Sequence, residues 1–275
     1  MSIQNSVRKP KGLICYYSGS GNTRLACRYI QNHVKNANLD LFNILRDGTP
    51  DFAAYDMAGF ATFTDFLDPP YLVQTFMSGL VRQDNKPAFV FNTYGFINGR
   101  TRQTLAKWAT VRGFKVIGGH SLHTPESYPP MIAGGHGNEQ APNEKELEEF
   151  KEFIAGLENN CGLLSEGKDV PARKIKAGFI YNLLPSFSRK RSKHDMGIKF
   201  IDDPLCDECG ICEKLCPYGA LKMDPKPVFY MDKCYGCWSC YNHCPHKAIY
   251  TKKFRGVGHY PKPISSLKDK IEITM

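Results

Sequence analysis

The sequence has no apolar run that approaches the roughly 18 residues of a membrane span, and the first ten residues lack the apolar core of a signal peptide. It also has no strong compositional bias, since 42% of its 275 residues are hydrophobic and 23% are charged. These values exclude a disordered chain, a collagen and a coiled coil as descriptions of the whole protein. We therefore expect a cytoplasmic protein with one or two globular domains.

Cysteine is too scarce for a disulfide scaffold, with 11 residues in the whole chain. Eight of the 11 nevertheless fall between Cys206 and Cys244. The other three, Cys15, Cys27 and Cys161, are scattered along the chain, and we interpret them as small core residues. The position of the cysteines is therefore more informative than their number.

The clustered cysteines form two copies of one motif, C-x2-C-x2-C-x3-C-P, and the second copy begins 28 residues after the first. Three thiolates at this spacing bind one iron–sulfur cluster, while the fourth cysteine of each copy binds the other cluster. On this rule the first cysteine set is Cys206, Cys209, Cys212 and Cys244, and the second cysteine set is Cys234, Cys237, Cys240 and Cys216. Each motif is followed by a proline, Pro217 or Pro245, that turns the chain into the next element.

Zinc is the alternative to iron–sulfur at these cysteines, because paired C-x-x-C motifs also form zinc ribbons. A zinc site does not call for a third cysteine at the same spacing, so iron–sulfur is favoured. Residues 198–252 resemble bacterial-type two-cluster ferredoxins. The resemblance implies a small α+β domain with two [4Fe-4S] clusters, and Lys199–Asp202 and Val228–Met231 are its candidate strands.

The N-terminal part of the chain alternates apolar strand-like runs with helix-like segments, which predicts parallel strands joined by crossover helices. We expect a doubly wound five-stranded parallel sheet. Its predicted strands are Gly12–Tyr17, Leu39–Leu45, Met57–Thr62, Ala88–Tyr94 and Phe114–Ile117. Its predicted helices are Asn22–Asn36, Tyr71–Leu80, Thr101–Arg112 and Asn143–Leu157.

A candidate phosphate loop, Ser18–Thr23, lies between the first predicted strand and the first predicted helix. Backbone N–H groups at a helix N-terminus attract a phosphate. The loop has no Walker lysine, and Arg24 occupies the third glycine position of the dinucleotide fingerprint. A monophosphate therefore suits it best.

The segment Tyr17–Thr23 is similar to the phosphate loop of flavodoxins, which bind FMN. The resemblance implies that Ser18, Gly19, Ser20, Gly21, Asn22 and Thr23 surround the phosphate. It also implies that two further loops, Gly59–Phe63 and Asn92–Phe96, flank the flavin ring. Within these loops the candidate ring contacts are Phe60, Phe63, Thr93, Tyr94, Gly95 and Phe96.

The segment Gly118–Pro142 is predicted to be a long loop rich in glycine and proline. The spacing of its histidines, His120, His123 and His136, is irregular and does not favour a metal site. We expect a flap over the flavin or a lid that binds a partner.

The two motif-bearing parts divide the chain into residues 1–165, a flavodoxin-like FMN domain, and residues 198–255, a ferredoxin domain. Residues 166–197 form a basic helical linker, and residues 256–275 form a C-terminal tail. The formal net charge is +9, and residues 166–200 carry nine basic against three acidic side chains. An apolar helix is predicted over Ile175–Phe187.

The basic run near Arg189, Lys190, Arg191 and Lys193 is either a solvated linker face or a docking site. As a docking site it suits an acidic redox protein better than a membrane surface, and it is too short to argue for nucleic acid.

Nearly the whole chain resembles fused flavodoxin–ferredoxin proteins of anaerobic bacteria and archaea. This implies an electron-transfer protein that connects FMN to two [4Fe-4S] clusters and a redox partner. The alternative is an iron–sulfur flavoenzyme that reduces a small molecule at FMN. A redox sensor is a weaker third hypothesis.

Overall fold

A computed structural model describes residues 8–176, 178, 181, 183, 193–194 and 196–271. Its N-terminal domain contains the predicted five-stranded parallel sheet, in the order β2-β1-β3-β4-β5. The strands are β1 (Lys11–Tyr16), β2 (Asn38–Asn43), β3 (Met57–Phe63), β4 (Lys86–Tyr94) and β5 (Phe114–His123). This is the flavodoxin-like strand order, whose switch point lies between β1 and β3. The expected fold class is confirmed.

Helices cover both faces of the sheet, because the strands carry apolar side chains in both directions. They are α1 (Asn22–His33), α2 (Tyr71–Gly79), α3 (Thr101–Val111), α4 (Pro129–Ala133) and α5 (Glu144–Ser165). One core packs α1 and α5 against the sheet, and the other packs α2 and α3. The scattered cysteines Cys15, Cys27 and Cys161 are all buried in these cores.

The prediction of a long loop over Gly118–Pro142 is wrong in its first part. Strand β5 continues to His123, because Gly118–His123 pair with Phe89–Tyr94 of β4 beyond a bulge at Ala88/Phe89. The glycines at the bulge concealed this continuation in the sequence. The short helix α4 follows, so that the remaining loop is interrupted as well.

The C-terminal domain contains two small antiparallel sheets. In one, β6 (Lys199–Ile201) pairs with β9 (Ile249–Thr251). In the other, β7 (Leu221–Asp224) pairs with β8 (Lys226–Phe229), so the candidate strand Val228–Met231 begins two residues earlier than expected. The short helices α6 (Ile211–Lys214) and α7 (Ser239–His243) each follow the second cysteine of a motif.

The described part of the predicted C-terminal tail packs on the N-terminal domain. Its helix α8 (Ser265–Ile271) places Leu267 and Ile271 in the core beside α1, with 0% and 1% exposure. Tyr260 is buried as well. Residues 256–271 therefore connect the two domains instead of extending freely.

The predicted apolar helix Ile175–Phe187 and the basic residues Arg189, Lys190 and Arg191 lie largely outside the described residues. Within the described residues, Ile175 packs on the α2–α3 side of the sheet. None of the described helices combines the length and the apolar character needed to cross a membrane.

Candidate functional site

The second cysteine set lines one cavity in the C-terminal domain. Its four members come from the loop before α7, from α7 itself and from the end of the first motif. Burial raises the pKa of the Cys237 thiol to about 12, so that a bound metal is required to hold it as the thiolate that iron needs.

The first cysteine set lines a separate cavity. Cys209 is exposed on its rim, and Asp207 and Glu208 line it from the same loop. The backbone N–H of Cys209 donates to Asp207 Oδ1 at 3.2 Å, which fixes the loop. This cavity therefore faces solvent.

The fourth cysteine of each motif lies at the cavity of the other copy, as the predicted ligand sets require. Cys216 lines the second cavity, and Cys244 lines the first. All eight are free thiols. Among the described residues, no three His, Cys, Asp or Glu side chains are close enough together to hold a single metal ion. Ligation itself stays a prediction.

The chemistry of the second cavity fits an anionic sulfur-ligated group. Lys199 is only 6% exposed, lines this cavity, and donates from Nζ to Cys234 Sγ at 2.8 Å. A buried ammonium is costly unless it is paired. An iron–sulfur cluster held by the thiolates of the second cysteine set would supply the negative charge that pairs with this ammonium.

A larger pocket, of about 1500 Å³ and partly open to solvent, lies between the two domains. We call it the interdomain pocket. The N-terminal domain contributes Tyr17, Gly19, Ser20, Phe63–Leu67, Pro70, Gly95–Ile97, Glu126–Tyr128 and Met131. The C-terminal domain contributes Tyr218, Tyr235–Ser239, Asn242 and His243. The N-terminal side lies at the carboxyl ends of β1, β3 and β4, where ligands bind in doubly wound sheets.

The phosphate loop forms one end of this pocket through Gly19 and Ser20. Ser18 Oγ accepts hydrogen bonds from the N–H groups of Gly21 and Arg24, at 3.1 and 3.3 Å. Gly21 is the N-cap of α1 with φ of 100°, a conformation that favours glycine. The N-cap residue Gly21 provides no side-chain cap and the first turn of α1 has no acidic residue, so the positive end of the helix, apart from the Arg24 N–H that bonds to Ser18, is available to an anion.

The other predicted phosphate residues are held by the protein itself. Asn22 is buried and donates from Nδ2 to the carbonyl of Pro125 at 3.0 Å. The hydroxyls of Thr23 and Thr93 lie 2.8 Å apart and are both buried. These side chains position the start of α1, and their hydrogen-bonding groups are bonded within the protein.

The predicted ring contacts lie at different places. Phe63, Gly95 and Phe96 line the interdomain pocket. Phe60 is 1% exposed and packs edge-on against Phe114 in the core. The Tyr94 ring stacks on His123, with centroids 4.9 Å apart, and the residue does not line the pocket.

Tyr94 is fixed by its neighbour. His123 bonds to the carbonyl of Gly95 at 2.7 Å and to Glu146 at 2.9 Å. Burial raises the pKa of Tyr94 to about 12. His123 thus supports the wall of the pocket through its contacts with Tyr94 and Gly95.

A tight turn after β3 contributes pocket residues that the sequence did not indicate. Asp65 and Asp68 exchange both backbone hydrogen bonds, and the two residues between them, Phe66 and Leu67, have φ of 47° and 81°. Asn-Gly is the usual choice for such a turn. Bulky side chains in this conformation store strain, which is common at ligand sites.

The C-terminal domain contributes an aromatic wall. The Tyr218 and Tyr235 rings stack with centroids 4.8 Å apart. Trp238 meets Tyr128 of the N-terminal domain edge-on at 5.9 Å. Five residues line both the interdomain pocket and the second cavity, namely Tyr218, Tyr235, Cys237, Trp238 and Ser239. The pocket and the cavity therefore share a wall.

Two carboxyl groups face the interdomain pocket. Burial raises the pKa of Asp65 to about 6, although Tyr235 donates a hydrogen bond to it. Burial also raises the pKa of Glu126, which accepts hydrogen bonds from the backbone of Ser127 and Tyr128. No sequence pattern identifies either residue, because the partners come from distant segments.

Residues 205–248 match the family model of the 4Fe-4S dicluster domain. The chain belongs to the 4Fe-4S dicluster ferredoxins, fused here to a flavodoxin-like domain. A pyruvate synthase subunit PorD of Methanocaldococcus jannaschii is 33% identical over 75 residues, which are 26% of this chain and 87% of that protein. These features support an electron-transfer role for the fused protein.

Two further comparisons cover parts of the chain. A polyferredoxin of Methanothermus fervidus is 41% identical over 44 residues, 16% of this chain, and the match spans only 11% of that protein. A solved flavodoxin from the domain Archaea aligns with 55% of this chain and 99% of its own, at 18% identity and a TM-score of 0.43.

Proposed function

We propose that this fused protein is an electron carrier that passes electrons between FMN in the interdomain pocket and two [4Fe-4S] clusters, and on to a redox partner in anaerobic metabolism. The observation that carries the proposal is the shared wall. Cys237 lines the second cavity and the interdomain pocket at once. A flavin in the pocket and a cluster on the second cysteine set are therefore direct neighbours.

FMN takes up two electrons and releases them singly, whereas each cluster carries one electron. A flavin together with the clusters therefore links two-electron transfer to one-electron transfer. The protein's residues supply the arrangement. The first turn of α1 and the phosphate loop bind the phosphate, and Phe63, Phe96 and Tyr128 give the ring apolar walls.

The first cysteine set is proposed as the contact point with the redox partner. Cys209 is exposed, whereas Cys234 is buried and the second cavity adjoins the pocket. A partner protein therefore approaches the first cavity more closely than the second.

An acidic partner that docks near Arg189–Lys193 also stays a proposal. Arg189, Lys190 and Arg191 lie outside the described residues. Lys193 donates from Nζ to the carbonyls of Met231 and Asp232, at 3.0 and 2.9 Å. Its charge therefore lies close to the segment that leads into the second motif. Charge reversal at 189–191 should slow reduction by the partner at low salt only.

The deciding experiment is the measurement of iron, acid-labile sulfide and released flavin in protein purified without oxygen. About eight iron, eight sulfide and one FMN per chain are expected for two clusters and one flavin. Full iron with no flavin after reconstitution would limit the proposal to a ferredoxin with an α/β domain of another purpose. A small oxidant turned over much faster by the chain than by free flavin would instead favour the flavoenzyme.

A further inference from the structure

Lys199 is the one described lysine among the buried polar and charged residues of the chain. Its Nζ lies 2.8 Å from Cys234 Sγ, 3.6 Å from Met231 Sδ and 3.9 Å from Met196 Sδ, and 5.2 Å from the centre of the Phe229 ring. In the described part of the chain it makes no ion pair with a carboxylate. Sulfur atoms and an aromatic face thus surround this ammonium.

The internal repeat shows that this arrangement belongs to one site only. The 28-residue offset between the motifs relates Lys199 to Pro227, which lines the first cavity as Lys199 lines the second. A neutral proline therefore occupies, at the first cavity, the place that a cation occupies at the second.

The acidic residues are distributed in the opposite sense. Asp207 and Glu208 line the first cavity, and the same offset relates them to Tyr235, which lines the second cavity, and to Gly236. Asp207 is exposed and pairs with His246 at 2.8 Å, so solvent and its partner weaken its field. The carboxyl group of Asp65, when ionised, counteracts the positive charge of Lys199, but Asp65 faces the interdomain pocket and does not line the second cavity.

A positive charge stabilises the reduced form of a cluster, because reduction adds a negative charge to it. The effect is larger in a buried site than in water, and a hydrogen bond to sulfur acts in the same direction. Solvent exposure favours reduction at the first site, where Cys209 is exposed, so the inference requires the buried charge to outweigh it. Lys199 supplies both a buried charge and a hydrogen bond to Cys234.

We propose that Lys199 raises the reduction potential of the cluster on the second cysteine set above that of the cluster on the first. This inference rests on the proposed function. One electron delivered by a one-electron donor protein at the exposed first site then passes inwards. The first site is oxidised, the second is reduced, and no proton is needed. Lys199 is thus a positioning residue that sets the direction of transfer towards the interdomain pocket.

The test is a reductive titration of the complete protein with dithionite, without oxygen, followed by the spectroscopic signals of both clusters. Two distinct potentials are expected in the wild type. Lys199→Met removes the charge with little change in size. It should lower one potential and leave the other in place, so that the electron distribution between the sites shifts about tenfold. Lys199→Arg, which keeps the positive charge, should retain both wild-type potentials.

Lys226→Met is the matched control, because Lys226 is a lysine near the first site whose charge is paired with Asp203 at 3.0 Å. It should leave the second potential unchanged. Identical potentials in the wild type, or unchanged potentials in Lys199→Met with full iron, would overturn the inference. If Lys199→Met loses iron, the same titration of Lys199→Gln, compared with the wild type, tests whether removing the charge lowers the second potential. Wild-type protein without clusters would instead overturn the proposed function itself.

Discussion

Tyr235 donates its hydroxyl hydrogen to the Asp65 carboxyl group across 2.9 Å, and this bond joins the two domains at the interdomain pocket. Asp65 begins the strained turn after β3, and Tyr235 lies between Cys234 and Cys237 of the second motif. The position of the pocket wall therefore depends on the loop that carries the cysteines.

Tyr235→Phe should lower the free energy of unfolding by about 1–3 kcal/mol, because a buried carboxyl group loses its donor. Urea unfolding of the complete protein measures this. Tyr55→Phe is the control, since its hydroxyl bonds to the exposed Asp40. That change should cost less than about 0.5 kcal/mol. Equal losses in the two variants would show that the bond between Tyr235 and Asp65 contributes no more to stability than an exposed hydrogen bond.

His120 should make the protein sensitive to acid. Burial among Phe91, Phe150 and Phe153, together with the charge of Arg102, lowers its pKa to about 4. Between pH 6.5 and 4 the unfolded chain binds a proton at this side chain and the folded chain does not. The free energy of unfolding therefore falls as the pH decreases through this window.

His120→Phe should flatten this dependence between pH 6.5 and 5, measured as the urea midpoint against pH. His33→Phe, a change at an exposed position at the end of α1, should keep the wild-type slope. A wild-type slope in His120→Phe would mean that other groups cause the acid sensitivity.

Tyr260 should affect binding of the phosphate end of the proposed flavin. Its hydroxyl donates to Asn22 Oδ1 at 3.0 Å, and its N–H donates to Asn242 Oδ1 at 3.2 Å. Asn242 in turn donates to the carbonyl of Ser127 at 3.0 Å. This buried network holds the start of α1 from the C-terminal segment. Tyr260→Phe leaves Asn22 without this donor.

Tyr260→Phe should weaken FMN binding about tenfold and leave the binding of riboflavin, which lacks the phosphate, nearly unchanged. Fluorescence titration of both flavins into flavin-free chain measures the ratio. Tyr55→Phe again serves as control and should alter neither affinity. Equal weakening of both flavins would indicate a general structural role for Tyr260.

The sequence predicted most of what depends on neighbours along the chain. The cysteine spacing indicated the dicluster domain, and the alternation of strands and helices indicated the sheet. Features that depend on pairing between distant segments were missed. The extension of β5 to His123 comes from its pairing with β4, and Tyr94 turns to His123 instead of the pocket.

The interdomain pocket was the least predictable part, because its walls come from segments far apart in the sequence. Asp65, Glu126, Tyr218 and Tyr235 have no local pattern that distinguishes them from other polar or aromatic residues. Phe66 and Leu67 even contradict the usual preference for Asn-Gly in their turn. The predicted pocket residues are those of the phosphate loop, a local turn at a helix N-terminus, and Phe63, Gly95 and Phe96, which the resemblance to flavodoxins placed in the loops after two strands.

Trp238 allows the strain at the shared wall to be measured separately from burial. It has φ of 61°, a conformation that costs a non-glycine residue about 1–2 kcal/mol. The same place in the first motif is Gly210, with φ of 70° and open space where a side chain would begin.

Trp238→Ala and Trp238→Gly both lose the buried ring, so the difference between their free energies of unfolding measures the backbone strain alone. The Trp238→Gly variant should be more stable than the Trp238→Ala variant by about 1–2 kcal/mol. The Gly210→Ala variant should lose the same free energy of unfolding relative to the wild type, measured by urea unfolding. If alanine and glycine were equally stable at 238 while Gly210→Ala lost stability, the conformation at Trp238 would not be strained, and the ring's contact with Tyr128 would have to explain its position in the wall.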